Sequence, residues 1–270
     1  MCETVCLKAA HKTRELDPVP SALLRDCLDV LLLHVTHVTN DSLSSGSFPT
    51  VIKSAIVRPH LKKKSLDPNC LKKYGPVSNL SFLSKISESI VLSLSSLTWK
   101  KNNLLNPHQS ACRLEHSTET ALLRVVNDLL LGLDDDKVSI LALFDLSAAF
   151  DTTDHSILLT RLQHSFGICD LALAWFRSYL TDRQQTACVN GIYFEPSAPM
   201  HGVPKGSVLG PILFLLYATP VSDIINYHLR HHEGFADDTQ LHTSAHITDV
   251  RLTYIKNTRL HHRPQNMDDS

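Results

Sequence analysis

Three carboxylates in this sequence are of a type and spacing that could do chemistry: Asp145, Asp237 and Asp238. Asp145 ends the apolar run Val138-Ser139-Ile140-Leu141-Ala142-Leu143-Phe144, which has strand length, and Asp237-Asp238 stands between short apolar flanks in Gly234-Phe235-Ala236-Asp237-Asp238-Thr239-Gln240-Leu241. A strand end and a tight turn are rigid places to hold carboxylate oxygens. Their convergence would suit a two-metal site, in which two hard cations about 3.5–4 Å apart serve the attacking and the leaving oxygen. Asp pairs are also common as solvated surface, and Asp134-Asp135-Asp136 and Asp268-Asp269 read that way. Residue type and spacing leave both readings of Asp237-Asp238 open.

The rest of the chain must supply a fold that positions these groups. Its 270 residues suffice for one large domain or two small ones, and 43% hydrophobic with 20% charged residues excludes a disordered, collagen-like or low-complexity chain. Lys and Arg total 26 against 27 Asp and Glu, a net charge of −1, so any electrostatic site has to be local. One such asymmetry exists. Residues 51–75 hold Lys53, Arg58, Lys62, Lys63, Lys64, Lys72 and Lys73 against the single Asp67, which fits either a solvated loop or a phosphate-binding surface.

The seven cysteines show no metal spacing and read as reduced thiols of an intracellular protein, nuclear or cytoplasmic. The most apolar stretch, Val208 to Val221, is broken by Gly210, Pro211 and Pro220, so no membrane span is expected. His228, His231 and His232 cluster, but no cysteine or carboxylate falls at matching spacing, and no metal is assigned to them.

Helical periodicity predicts a helix over 21–38 behind Ser21, one over 116–131 capped by Ser117 and ended by Gly132, one that Asp151 can cap, with Asp154 also read as a helix-start residue, and one over 170–179. Strands are predicted over 51–57 and 138–144, with Asp145 delivered at the end of the second. Asn190-Gly191 between Thr186–Val189 and Ile192–Phe194 is a hairpin signal. Gly202 to Ser207 reads as a loop, with Ser207 capping an apolar helix. Strands interleaved with helices and hairpins argue for an α+β fold.

The sequence context goes further. Phe144-Asp145-Leu146-Ser147-Ala148-Ala149-Phe150-Asp151-Thr152-Thr153-Asp154-His155, then Gly202-Val203-Pro204-Lys205-Gly206-Ser207-Val208-Leu209-Gly210-Pro211-Ile212-Leu213-Phe214, then the Asp237-Asp238 segment closely resemble, in this order, the reverse transcriptase domain of LINE-type non-LTR retrotransposons. Upstream, Tyr74-Gly75-Pro76-Val77-Ser78-Asn79-Leu80, Gln109-Ser110-Ala111 and His116-Ser117-Thr118-Glu119-Thr120-Ala121 resemble it too, so the likeness spans roughly 17–244.

That resemblance implies the fingers and palm of a right-hand polymerase, with an antiparallel palm sheet and the thumb missing. It implies a helical extension over 1–47, the reverse transcriptase region over 48–244 and a divergent C-terminal tail over 245–270. The implied activity is RNA-directed DNA synthesis from deoxynucleoside triphosphates at the 3′ end of a DNA primer on an RNA template. Asp145, Asp237 and Asp238 would be catalytic and would hold two Mg2+ ions. Phe150, Lys205 and Gly206 would bind the nucleotide, with the Phe150 ring screening the sugar 2′ position. Lys62, Lys63, Lys72 and Lys73 would contact nucleic acid.

Two departures bear on activity. Gly75 stands where the family usually has an arginine, a bidentate phosphate donor, and Lys205 stands where a glutamine is usual. An alternative from another class is therefore a catalytically silent relic that at most binds nucleic acid. A third, a hydrolase acting on nucleic acid through the same carboxylates, gives the Gly202–Phe214 segment no purpose.

Overall fold

A computed structural model of the chain describes residues 16–17, 19–20, 23, 26–113, 116–146, 149–228, 231–236, 238–246 and 248. In chain order the main elements are α1 (Leu28–Ser45), β1 (Ser54–Leu61), β2 (Tyr74–Leu80), α2 (Phe82–Lys101), α3 (Thr118–Asp134) and β3 (Lys137–Asp145). They continue with α4 (His155–His164), α5 (Asp170–Leu180), β4 (Gln184–Val189), β5 (Ile192–Tyr193), α6 (Gly210–His228), β6 (His231–Phe235) and β7 (Asp238–His246). The chain forms two compact units, Met1–Leu105 with Ala148–Tyr217, and Asn106–Ser147 with Ala218–Ser270.

In the first unit β1 is central. It pairs antiparallel with β2, from Ala55 opposite Leu80 to Leu61 opposite Tyr74, and parallel with β4, from Ser54 opposite Gln184 to Val57 opposite Ala187. β5 closes the sheet through the expected hairpin, whose Asn190 and Gly191 take φ of +52° and +82°. These are the two positive values that a tight turn needs. Beside the sheet, the Phe48 ring meets Trp175 and Tyr179 edge-on at 5.4 and 5.2 Å, and the Trp175 indole donates to Ser42 Oγ at 2.9 Å.

Three local expectations shift. The helix expected over 21–38 runs on past Val38 in α1 to Ser45 and ends at Gly46 in the left-handed region, while Ser21, Ala22, Leu24 and Arg25 lie outside the described residues. Thr50–Ile52 forms a short 3-10 turn before the strand starts at Ser54, which turns Lys53 inward so that its Nζ donates to Thr181 O. Asp154, and not Asp151, caps α4. Its carboxylate accepts from Ser156 N and Ile157 N, and these donors hold its pKa below the usual carboxylate value.

In the second unit β3, β7 and β6 form an antiparallel sheet in the order β3-β7-β6. Its two faces follow from the two-residue period. Ala142 and Phe144 share a face with Leu241, and pack with it and with Ile225 of α6. The opposite face meets α3, where buried His242 places Nε2 3.1 Å from Asp128 Oδ2. Ser117 and Thr120 start α3 with a reciprocal capping box. Gly132 does not end α3, which runs on to Asp134. A Cβ on this buried glycine would stand 2.8 Å from Ser244 Oγ and 2.9 Å from Ser139 Oγ, two hydroxyls that bond to each other across the strands. Gly132 therefore serves close packing of helix on sheet.

Gly132→Ala is expected to destabilise the chain by about 1–3 kcal/mol through overpacking, in urea unfolding. Leu131→Ala, at a neighbouring residue that is 56% exposed, should cost far less.

Candidate active site

The β3–β7 register brings two of the three sequence-selected carboxylates together. Asp145, the last residue of β3, lies directly opposite Asp238, the first of β7, and Asp238 is in turn opposite Phe235 of β6. Residues paired in this way point to the same side of a sheet with Cβ atoms about 4.5–5.5 Å apart. Both are exposed, at the end of the ladder away from the Gly132 contact. Asp237 lies outside the described residues. Among the described residues no group of three or more His, Cys, Asp or Glu side chains could hold a metal ion.

Gln109 holds the backbone next to this pair, a role that its place in a family-like motif did not reveal. Ala236 N donates to Gln109 Oε1 at 3.0 Å, and Gln109 Nε2 donates to Ala236 O at 3.4 Å. Ala236 has a φ of +58°, unfavourable for a residue with a Cβ, so the side-chain amide braces a strained turn residue. Two backbone bonds flank the brace, Ser110 N to Gly234 O and Gly234 N to His108 O. Gln109 and Ala236 are 127 residues apart in the chain, and no local pattern announces their pairing.

In the first unit the Gly202–Ser207 loop is fastened on several sides. Gly202 N donates to Thr153 O and Val203 N to Phe150 O, while the His155 ring contacts Gly202 O at 2.7 Å. Ser78 N of β2 donates to Lys205 O at 2.7 Å. Gly202 and Gly206 have φ of +87° and +98°, and a Cβ on either would stand 2.7 Å from a carbonyl oxygen, of Phe150 and of Ser78. Only glycine meets both demands. Lys205 Nζ lies 2.6 Å from Asp151 Oδ2, which is where Asp151 is engaged instead of at a helix start. Phe150 is half-buried, its ring centroid 5.4 Å from that of Phe214. A cavity of about 310 Å³ is lined by Phe150, Asp151, Lys205, Gly202, Ser78 and Arg183 among others.

Behind the loop, Glu88 of α2 is fully buried. Its Oε2 accepts from Val208 N at 2.6 Å and Leu209 N at 3.2 Å, and its Oε1 accepts from Ser84 Oγ at 2.9 Å. Burial pushes its pKa up, while the Leu209 N–H, the Ser84 hydroxyl and the Arg183 guanidinium work in the other direction. Sequence reasoning passed over Glu88. The available signal was a carboxylate in the same helical stripe as Ser84 and Val91.

The basic residues collect at one end of the β1–β2 hairpin. Lys62 N donates to Lys73 O, Lys62, Lys63 and Lys72 are exposed, and Lys73 is half-buried. Gly75 lies opposite His60, and the nearest heavy atom to a Cβ built on it is Lys62 Cγ at 4.0 Å.

Compared with known proteins, residues 61–259 match the family described as reverse transcriptase (RNA-dependent DNA polymerase), so the likeness continues past Ser244. Among curated relatives, the RNA-directed DNA polymerase from the mobile element jockey of Drosophila melanogaster is 30% identical over 85% of this chain and 25% of its own length. The probable RNA-directed DNA polymerases from transposon BS and transposon X-element of the same fly are 27% and 26% identical, over 91% and 88% of this chain and 26% of each relative. The chain thus spans about a quarter of the length of these relatives. Among solved structures, apo telomerase from Candida tropicalis truncated from its C-terminal domain gives a TM-score of 0.54 at 14% identity, covering 77% of this chain and 46% of that one. The apo telomerase of the same organism gives 0.54 at 15%, covering 80% and 42%, and at such identity the likeness speaks for the fold. With the family model covering most of its length, the chain belongs to the reverse transcriptases, and its relatives place it with the reverse transcriptase domains of LINE-type non-LTR retrotransposons.

Proposed function

We propose that this chain is the fingers and palm part of an RNA-directed DNA polymerase, extending a DNA primer on an RNA template with deoxynucleoside triphosphates. The observation that carries the reading is Asp145 opposite Asp238 at the open end of an antiparallel ladder, in a member of the reverse transcriptase family. Like charges facing each other across a ladder oppose pairing, and a cation between them reverses the sign of that contact. The donor set is all carboxylate, which fits hard divalent cations such as Mg2+. Asp145, Asp238 and Asp237 are the residues that would hold two such ions. When bound, the ions supply Lewis-acid assistance to the attacking and leaving oxygens.

The remaining roles belong to the chain's own residues. The Phe150 ring excludes a ribose 2′ hydroxyl by volume. Gly202 and Gly206 let the loop backbone come close to a nucleotide, and Lys205 supplies a cation there. Lys62, Lys63, Lys72 and Lys73 meet backbone phosphates of the template and primer. No described helix is long and apolar enough to cross a membrane.

A second reading, nucleic-acid binding without turnover, is favoured by Gly75, which leaves no guanidinium at that position, and by Lys205 being engaged with Asp151. A chain that binds primed RNA with affinity falling steeply as salt rises, yet extends no primer, would establish it.

With Mg2+ and a primed RNA template the purified chain should extend the primer, and Asp145→Asn should lower the rate about a hundredfold or more. The same substitution should raise unfolding stability in metal-free buffer by about 0.2–1 kcal/mol, because it removes a like-charge pair. Undiminished extension by Asp145→Asn would overturn the assignment. Gln109→Ala strips both partners from Ala236 and should cost about 1–3 kcal/mol in urea unfolding. Gly75→Arg restores a phosphate donor at a position with room for it, and should lower the nucleotide KM about tenfold.

A further inference from the structure

The Gly202–Leu209 segment has backbone partners at its start, on residues 150–153, and at its middle, on Ser78. At its far end the partner is a carboxyl side chain. Val208 N and Leu209 N, two of the amides that open onto the start of α6, both donate to Glu88 Oε2, while Gly210 N is taken by Ser207 Oγ at 2.8 Å. Glu88 is fully buried, Ser84 Oγ occupies its second oxygen, and Arg183, 4% exposed, lies within electrostatic reach. A buried carboxylate accepting three hydrogen bonds is a directional anchor, since moving it even slightly leaves buried donors unsatisfied.

We propose that Glu88 is a positioning residue, which holds the Val208 and Leu209 end of the loop and thereby fixes Lys205 and Gly206 against β2. It touches no substrate. Its effect on catalysis rests on the reading above that this loop lies at the nucleotide, whereas its effect on the loop does not. Three backbone attachments, the His155 ring on Gly202 O and the Glu88 anchor leave Lys205 and Gly206 little freedom, and at the Val208–Leu209 end the side chain that holds the backbone is Glu88. Glu88→Asp keeps the carboxyl group but withdraws it by one methylene from Val208 and Leu209. Glu88→Gln keeps the length, so its carbonyl oxygen still accepts both amides and its NH2 donates to Ser84 Oγ.

The test separates the anchor from the polymerase reading. In the wild-type full chain, hydrogen exchange should find the Val208 and Leu209 amides slowly exchanging, and rapid exchange would overturn the proposal without any variant. Trypsin should cut after Lys205 about tenfold faster in Glu88→Asp than in the wild type or in Glu88→Gln, because local opening exposes the loop. Equal cutting of all three would overturn it. In primer extension, Glu88→Asp should raise the nucleotide KM about tenfold with kcat within about threefold, and Glu88→Gln should restore KM. A lower kcat at unchanged KM, the signature of a smaller folded fraction, would reduce Glu88 to a structural residue. A wild-type chain that extends no primer would remove the polymerase reading, while exchange and proteolysis would still decide the anchor.

Discussion

The register of β3 on β7 is the constraint on which the rest of the second unit depends. Ladder side chains alternate between faces, so a slip of one residue would send Asp145 to the side where Phe144 and Ala142 now pack with Ile225 and Leu241. Two contacts oppose such a slip. Apolar packing with α6 fixes one face, and the Gly132 contact with Ser139 and Ser244 fixes the other. Together they hold two like charges opposite each other at an open end, an arrangement that folding alone would not favour. Gln109 then braces the backbone at Ala236, so that the acidic turn leaves β6 in a conformation its own residue disfavours.

What could be read from the sequence was what short-range chemistry determines. The apolar run ending at Asp145, the Asn190-Gly191 turn and the Ser117 cap each depend on residues within a few positions of one another. Boundaries set by distant partners were not legible. Asp151 and Asp154 are equally good caps by type, and Lys205, 54 residues on, engages Asp151 while Asp154 turns to the helix. Gly132 has the look of a stop, yet the hydroxyls that explain it belong to β3 and β7. Gln109 and Glu88 act on backbone more than a hundred residues away. Tertiary demands of that kind override local propensity and leave no periodic trace.

The first unit treats charge differently from the second. Lys205 and Asp151 are 27% and 50% exposed, so their contact is screened by solvent and exchangeable. Glu88 is dry and held by fixed donors, so pulling its carboxyl group away leaves buried N–H groups without an acceptor. One loop therefore combines a cation that can change partners with a backbone that cannot readily move. That combination suits recognition of a charged ligand by a pre-arranged surface.

The parallel pairing of β1 with β4 carries a consequence for how the molecule is made. Ser54 to Val57 find their partners at Gln184 to Ala187, and the whole 106–147 stretch of the other unit is synthesised between them. As the chain leaves the ribosome, β1 and β2 stand as a hairpin with one bare edge until the later strand appears. Closure over so long a span is slow compared with hairpin zipping. The nascent chain thus passes through a window in which its most basic region is already made and its sheet is not yet finished.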